Sequence, residues 1–144
     1  MSDPDHCRKL ENMTHSAPFI RWTGVRTKIE KGRSEIRPPM QEKMFHAANA
    51  LHGPLYFLAP DNAAFFAINS LVKDVFAPTA SFDICLTRPV TRGTLAAAGT
   101  AATPGKGRFI AEAVLRDEKD REGARGGGIF VKGPTSPSPE TGYA

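Results

Sequence analysis

Apolar and polar residues alternate in several stretches of the chain, which predicts β-strands. The alternation begins in residues 24–37, where Lys31-Gly32 predicts the turn of a hairpin. It resumes after Pro78 in four more strands. These lie within residues 79–89, 93–105, 107–118 and 123–133. Their connections are short and rich in turn residues, so we expect consecutive strands to pair antiparallel.

Between the hairpin and the later strands, residues 46–70 form one long apolar segment that predicts a helix. Gly53-Pro54 fits its start, because proline at the first helical position loses no intrahelical hydrogen bond. Pro60 lies further along and is expected to kink the helix or to restart it at Asp61.

Two strands before the helix and four after it in the sequence predict an α+β layer of about six antiparallel strands. Residues 1–23 form an extension with a short polar helix over residues 4–14. Residues 24–132 form the domain itself, and residues 133–144 lack an apolar pattern and are predicted to be a disordered tail. A single helix covers only part of such a sheet, so we expect pairing with a second copy.

Composition narrows the class of protein. The 144 residues carry a net charge of +4 without a dense block of lysine and arginine, so nucleic acid is not an expected partner. Cys7 and Cys85 lie far apart, which favours free thiols in a reducing compartment. No signal peptide and no apolar run of about 18 residues is seen, so we expect a cytoplasmic protein that does not bind membranes.

Three motifs together resemble a known family. They are HGPLYFLAPD at 52–61, LTRP at 86–89 and ARGGGIFV at 124–131. In this order they resemble the hotdog-fold acyl-CoA thioesterases, most closely the branch related to the phenylacetate-catabolism thioesterases. The likeness covers residues 24–132. It implies a hotdog fold, in which the antiparallel sheet wraps a long central helix, and a homo-oligomer, either a dimer or a dimer of dimers.

The resemblance also implies a catalytic site for hydrolysis of an acyl-CoA thioester. Asp61 matches the family's base or nucleophile, and the Gly53 N–H matches the donor that polarises the thioester carbonyl. His46 or Asn49 would position water where many relatives have asparagine. Thr79 matches a hydroxyl that supports the acid.

The spacing of these residues suggests that the site is shared between subunits. Asp61 follows Gly53 by eight residues, about 12 Å along a continuous helix, so one carbonyl cannot touch both groups of one chain. The site would then combine Gly53 of one subunit with Asp61 of another. A simpler alternative is that Asp61 caps a helix that starts near Pro60.

Substrate contacts are expected from two kinds of residue. Apolar residues of the helix would hold the acyl chain, although they are also ordinary core candidates. Basic residues in turns would hold the phosphates of coenzyme A, although solvation at the surface is the simpler explanation for each of them alone. The candidates are His52, Leu55, Tyr56, Leu58, Phe65, Arg88, Lys106 and Arg108.

Two other functions stay open. One is a non-catalytic acyl-CoA-binding hotdog protein, which the histidine at position 46 and the proline at position 60 favour. The other is a hotdog enoyl-CoA hydratase or dehydratase, against which stands the lack of a His-Phe-Pro-Gly loop or an Asp-x-His motif. His46 and His52 have no cysteine or third ligand nearby, so no metal is expected, and no cofactor besides the coenzyme A of the substrate.

Overall fold

Three α-helices and one six-stranded sheet make up residues 1–102 and 106–144, the part of the chain that the computed structural model describes. The helices are α1 (Asp3–Ser16), α2 (Pro18–Thr23) and α3 (Gly53–Asn69). The strands are β1 (Arg26–Glu30), β2 (Arg33–Arg37), β3 (Thr79–Leu86), β4 (Ala96–Ala101), β5 (Arg108–Arg116) and β6 (Glu122–Val131). Glu42–Met44 and Pro139–Thr141 form single 3₁₀ turns. The α+β prediction with about six antiparallel strands is confirmed.

The period-2 pattern assigns the faces of the strands correctly in β1 and β5. Burial alternates along both strands, so that one face packs towards α3 and the other meets solvent. The buried positions are Thr27 and Ile29 in β1, and Phe109, Ala111, Ala113 and Leu115 in β5.

The strand order is β1-β2-β4-β5-β6-β3, with every neighbouring pair antiparallel. The prediction that consecutive strands pair is therefore wrong for β3, which pairs with β6 instead of β4. The connection 87–95 exceeds the roughly two to five residues of a tight hairpin loop, so it carries the chain to a distant strand. The Val90 N–H donates to the Tyr56 hydroxyl at 2.6 Å, which fixes this connection to α3.

Small residues allow α3 to lie close against the middle of the sheet. A side chain at Gly99 of β4 would collide with the backbone of Ala63 in α3. The Ser34 hydroxyl of β2 donates to the same Ala63 carbonyl at 2.6 Å. The helix therefore packs on β2, β4 and β5 with backbone nearly in contact with backbone.

The central helix runs without interruption through Pro60. The expectation that it restarts at Asp61 is wrong. Pro60 costs one intrahelical hydrogen bond, the one to the Tyr56 carbonyl, but most residues of α3 from Ala59 onwards are buried. The packing of these buried residues stabilises the helix where the hydrogen bond is missing.

The N-terminal extension contains one helix more than predicted. Ser2 caps α1, because its hydroxyl accepts a hydrogen bond from the Asp5 N–H. A short α2 follows, and its signals were present in the sequence: Pro18 stands at its first turn and Gly24, with φ of 75°, ends it.

Side chains of α1 close one edge of the sheet. His15 Nε2 accepts from the Thr27 N–H at 3.0 Å, and the Glu11 carboxylate accepts from the Ile29 N–H at 2.7 Å. These bonds occupy outward-facing amides of β1 that would otherwise be open to another strand.

The prediction of a disordered tail over residues 133–144 is wrong. Tyr143 is buried, and its hydroxyl lies 2.6 Å from His6 Nδ1 in α1. His6 Nε2 donates to the Asn69 carbonyl at 2.7 Å, at the end of α3. The C-terminal segment therefore packs on α1 and is tied through His6 to the end of the central helix.

Candidate functional site

Asp61 and Thr79 form a hydrogen-bonded pair between α3 and β3. The Thr79 hydroxyl donates to Asp61 Oδ1 at 2.8 Å. Asp61 lies inside the helix and its side chain meets a strand, so the alternative in which it caps a helix start is wrong. The structure thus brings the acid and the expected hydroxyl together, while their catalytic roles stay predictions.

Burial controls the ionisation of this acid. Asp61 is half-buried, and desolvation of the charged form raises its pKa above the usual value for aspartate. The hydrogen bond from Thr79 stabilises the carboxylate and lowers the pKa in part. A carboxylate that is poorly solvated and keeps one donor is a stronger base and a better nucleophile than an exposed one.

A cavity of about 310 Å³ opens beside this carboxylate, and we name it the acid cavity. One wall comes from α1 and α2 and the other from α3. Its α3 wall includes Phe65 and Phe66, whose rings meet edge to face with centroids 4.9 Å apart. The lining residues are Met13, Thr14, Ala17, Ile20, Asp61, Asn62, Phe65, Phe66 and Thr141.

A second cavity, of about 330 Å³, lies at the start of α3, and we name it the amide cavity. His52, which is exposed, makes no side-chain capping bond there. Pro54 has no N–H and the Leu55 N–H donates to the His52 carbonyl, so the Gly53 N–H is the amide of this first turn that can donate to a ligand. A Cβ at Gly53 would have no heavy atom within 4 Å, so a ligand can approach this backbone closely. The lining residues are His46, Ala50, Leu51, Gly53, Tyr56, Leu86, Thr87, Arg88 and Pro89.

The two cavities share no lining residue among those that the structure describes. Gly53 and Asp61 lie on one unbroken helix, so they are separated by about 12 Å along its axis. A single carbonyl therefore reaches one of these groups in a given chain and not both.

Of the two candidates for positioning water, His46 is the one that lines the amide cavity. It lies in a turn whose backbone bonds join His46 to Ala50 and to Asn49. Its Nδ1 accepts from the Ala48 N–H at 3.0 Å, which leaves Nε2 to carry the proton of the neutral ring. Asn49 is also exposed and adopts a left-handed backbone with φ of 58°, but it is not among the described residues that line this cavity.

The four residues expected to hold an acyl chain do not share one cavity. Tyr56 is buried and lines the amide cavity, where its hydroxyl accepts from the Val90 N–H. Phe65 lines the acid cavity. Leu55 and Leu58 are half-buried and belong to neither lining within the described residues. The four do not make one acyl site within a single chain, because the helix turns them towards different surroundings, and an acyl site that they form across two chains stays a prediction.

The basic residues expected to form a cluster lie at opposite ends of the sheet. The Arg88 N–H donates to the Gly123 carbonyl, whereas Arg108 pairs with Val131. Gly123 and Val131 are eight residues apart on β6, which amounts to roughly 26 Å of strand. Arg88 lines the amide cavity, and Lys106 is exposed at the other end beside Arg108. A cluster within one chain is therefore excluded.

Solved structures share this architecture over most of their length. The PaaI protein of Escherichia coli, from the phenylacetic acid degradation operon, superimposes with a TM-score of 0.83 at 17% identity, over 93% of this chain and 97% of that one. The chain has the hotdog fold. The fold expected from the sequence motifs is thus confirmed.

Two further hotdog structures add functional context. A thioesterase of Haemophilus influenzae matches with a TM-score of 0.75 at 16% identity, over 83% of this chain and 85% of that one. A Streptococcus mutans protein bound to acetyl-CoA matches with a TM-score of 0.67 at 17% identity, over 76% of this chain and 88% of that one. Neither a protein-family model nor a curated protein matches the sequence.

The hotdog core is extended here by residues that the sequence did not single out as part of a site. Met13, Ala17 and Ile20 belong to the extension before the core, and Thr141 belongs to the C-terminal segment, yet all four line the acid cavity. No local pattern marks them, because only the packing of α1 and α2 over α3 brings them to Asp61.

The residues that the structure describes form neither a metal site nor a membrane-spanning helix. Within residues 1–102 and 106–144, no three side chains of histidine, cysteine, aspartate or glutamate come together as ligands for a metal ion. Over the same described ranges, every helix is too short or too polar to cross a membrane.

Proposed function

We propose that this protein hydrolyses an acyl-CoA thioester to the free acid and coenzyme A, with Asp61 as base or nucleophile. The observation that carries the proposal is the half-buried Asp61 carboxylate, which has a raised pKa, one donor in Thr79 and an apolar cavity in front of it. Support also comes from hotdog structures of similar shape, which include a thioesterase and a protein bound to acetyl-CoA.

The chemistry assigns separate tasks to the two cavities. In the general-base route, Asp61 takes a proton from water as the water oxygen adds to the thioester carbon. The Gly53 N–H, at the positive end of the α3 dipole, donates to the carbonyl oxygen as it becomes negative. The C–S bond then breaks, and the sulfur of coenzyme A recovers the proton from Asp61. In the nucleophilic route, Asp61 attacks the carbon itself, and the C–S bond breaks to release the coenzyme A thiolate. Water then hydrolyses the resulting anhydride to the free acid and the Asp61 carboxylate, and the proton set free goes to the thiolate.

Both tasks require two copies of the chain, and β3 offers the surface that joins them. Among the described residues, β3 has β6 as its one strand neighbour, so its other edge presents unpaired backbone groups. Phe57 and Leu86 next to this edge are 41% and 55% exposed, and Phe57 stacks edge to face on Phe82. An open edge flanked by exposed apolar side chains favours pairing with the β3 of a second copy.

Antiparallel pairing of β3 with its copy brings unlike cavities together. Thr79 begins β3 beside the acid cavity, and Leu86 ends it in the lining of the amide cavity. A two-fold axis near the middle of the strand therefore sets the Asp61 end of one subunit opposite the Gly53 end of the other. The same operation brings Arg88 of one subunit to the end where Lys106 of the other lies, which assembles positive charge for the phosphates of coenzyme A.

The proposal is tested by thiol release from a panel of acyl-CoA thioesters. Asp61→Asn is nearly isosteric but cannot act as base or nucleophile, so we expect kcat to fall by about 100-fold or more while the fold is kept. Asp74→Asn, which changes an exposed aspartate paired with Lys132, is the matched control and should keep kcat.

Two results would contradict the proposal. One is near-normal kcat of Asp61→Asn with the best acyl-CoA, which would make Asp61 structural. The other is binding of acyl-CoA by the unmodified protein with no release of thiol, which would favour the non-catalytic acyl-CoA-binding alternative.

A further inference from the structure

The N-terminal extension supplies half of the acid cavity. One side of the opening is formed by Met13 of α1, Ala17 between the two helices and Ile20 of α2. The other side is formed by Phe65 and Phe66 of α3. Met13 and Ala17 are half-buried, so part of each side chain is accessible to a molecule that enters. The wall is thus made by residues that lie outside the sheet-and-helix core.

We propose that this cavity holds the acyl group and that α1 and α2 determine which acyl groups fit. The proposal rests on the proposed thioesterase function, because the Asp61 carboxylate in the cavity fixes where the thioester carbonyl must lie. An acyl chain that extends from this carbonyl points between the extension and α3. The substrates are therefore thioesters of apolar acids of intermediate size, either aliphatic or aromatic.

The size and chemistry of the cavity exclude the smallest substrates as the preferred ones. An acetyl group would leave most of the roughly 310 Å³ without contacts, whereas a longer chain or a ring would fill it. A cavity lined by Met13 on one side and by the rings of Phe65 and Phe66 on the other suits a ring or a flexible chain, because methionine adapts its shape and its sulfur contacts rings favourably.

The wall is held in place from outside the cavity, so its shape is defined in the free protein. Glu11 and His15 on another face of α1 bond to the backbone of β1, and His6 joins α1 to Tyr143 and to the end of α3. A substitution in the wall will therefore change the space available to the acyl group instead of being absorbed by movement of α1.

The experiment places a larger side chain in the wall of the cavity and measures the binding of thioesters to a variant that does not hydrolyse them. In the Asp61→Asn background, calorimetry gives Kd for acetyl-CoA, hexanoyl-CoA and phenylacetyl-CoA with and without Ala17→Leu. We expect Ala17→Leu to raise Kd for hexanoyl-CoA and for phenylacetyl-CoA by roughly tenfold relative to Kd for acetyl-CoA. Ala98→Leu, at an exposed alanine on the outer face of β4, is the matched control and should leave the ratios between the three Kd values unchanged.

A second variant keeps the test decisive if Ala17→Leu does not fold. Ala17 has an extended backbone with φ of −64° and ψ of 135°, which a β-branched residue also adopts, so Ala17→Val makes the same test with a smaller side chain. Equal weakening of all three thioesters, or no weakening, would overturn the proposal. Thiol release by the unmodified protein tests the proposed function separately, so a thioesterase with unchanged binding ratios would lose only this inference.

Discussion

Two opposing effects set the pKa of Asp61, the residue at the centre of the proposed mechanism. Burial disfavours the carboxylate and raises the pKa, and the hydrogen bond from Thr79 favours the carboxylate and lowers it. Burial is the larger effect, so the acid is harder to ionise than an exposed aspartate. Activity that needs the carboxylate will therefore rise with pH through this raised pKa.

Thr79→Ala removes the one effect that lowers the pKa. The charged form loses its donor, so the pKa of Asp61 rises further and the acidic limb of kcat/KM against pH should move to higher pH. Thr79→Ser keeps the hydroxyl and should restore the original profile. A limb that stays in place in Thr79→Ala, with activity reduced equally at every pH, would mean that Thr79 only supports the fold.

For single residues, some contacts could be predicted from the sequence motifs. Contacts that no motif includes, between residues far apart in the chain, could not. The contact between Asp61 and Thr79 was expected, because the resemblance of the motifs to the hotdog thioesterases implies a hydroxyl beside the acid. Tyr56 was expected to contact the acyl chain, but its hydroxyl bonds to Val90, 34 residues away, and no local pattern indicates that bond.

The two edges of the sheet differ in whether their backbone groups are hydrogen-bonded by another element. Glu11 and His15 of α1 bond to the outward amides of β1, whereas β3 at the other end has no strand beyond it in the described residues.

Alternation predicted the faces of β1 and β5 correctly, because period-2 burial is a local property. The place of β3 beside β6 was missed, because it depends on where a long connection leads.

The C-terminal segment is an element whose contribution to stability can be measured. Tyr143 is buried and its hydroxyl bonds to the fully buried His6, so Tyr143→Ala leaves a cavity and an unpaired ring nitrogen. We expect a loss of about 3 kcal/mol in the free energy of unfolding, seen as a fall in Tm of roughly 6–12 °C.

Glu140→Ala is the matched control for this change, because Glu140 is an exposed residue of the same segment and should leave Tm unchanged. If Tyr143→Ala melted at the temperature of the unmodified protein, the segment would not be docked in solution. No local pattern indicated the docking, because Tyr143 is a lone tyrosine and its partner lies 137 residues earlier.

For the whole molecule, the central claim is that two chains make each site. The ~12 Å between Gly53 and Asp61, the separate cavities around them and the open edge of β3 support this claim. The sequence predicted the shared site through the spacing of two residues on one helix. It could not show that the basic residues Arg88 and Arg108 also lie apart in one chain, since strand order decides their positions.

The most direct measurement mixes two inactive variants, Asp61→Asn and His46→Ala, by co-refolding differentially tagged chains. If His46→Ala alone keeps its activity, Asn49→Ala replaces it, because Asn49 is the other candidate for positioning water. In a heterodimer, one shared site holds both intact residues and the other holds both lesions. Random pairing makes about half of the dimers mixed, so roughly a quarter of all sites should be restored.

The account predicts that the mixture recovers about a quarter of the thiol-release activity of the unmodified protein, whereas each variant alone shows none. Purification through both tags in sequence confirms which molecules are heterodimers. A confirmed heterodimer without activity, from two variants that are each folded and inactive, would place both residues in the site of one subunit and contradict the shared-site account.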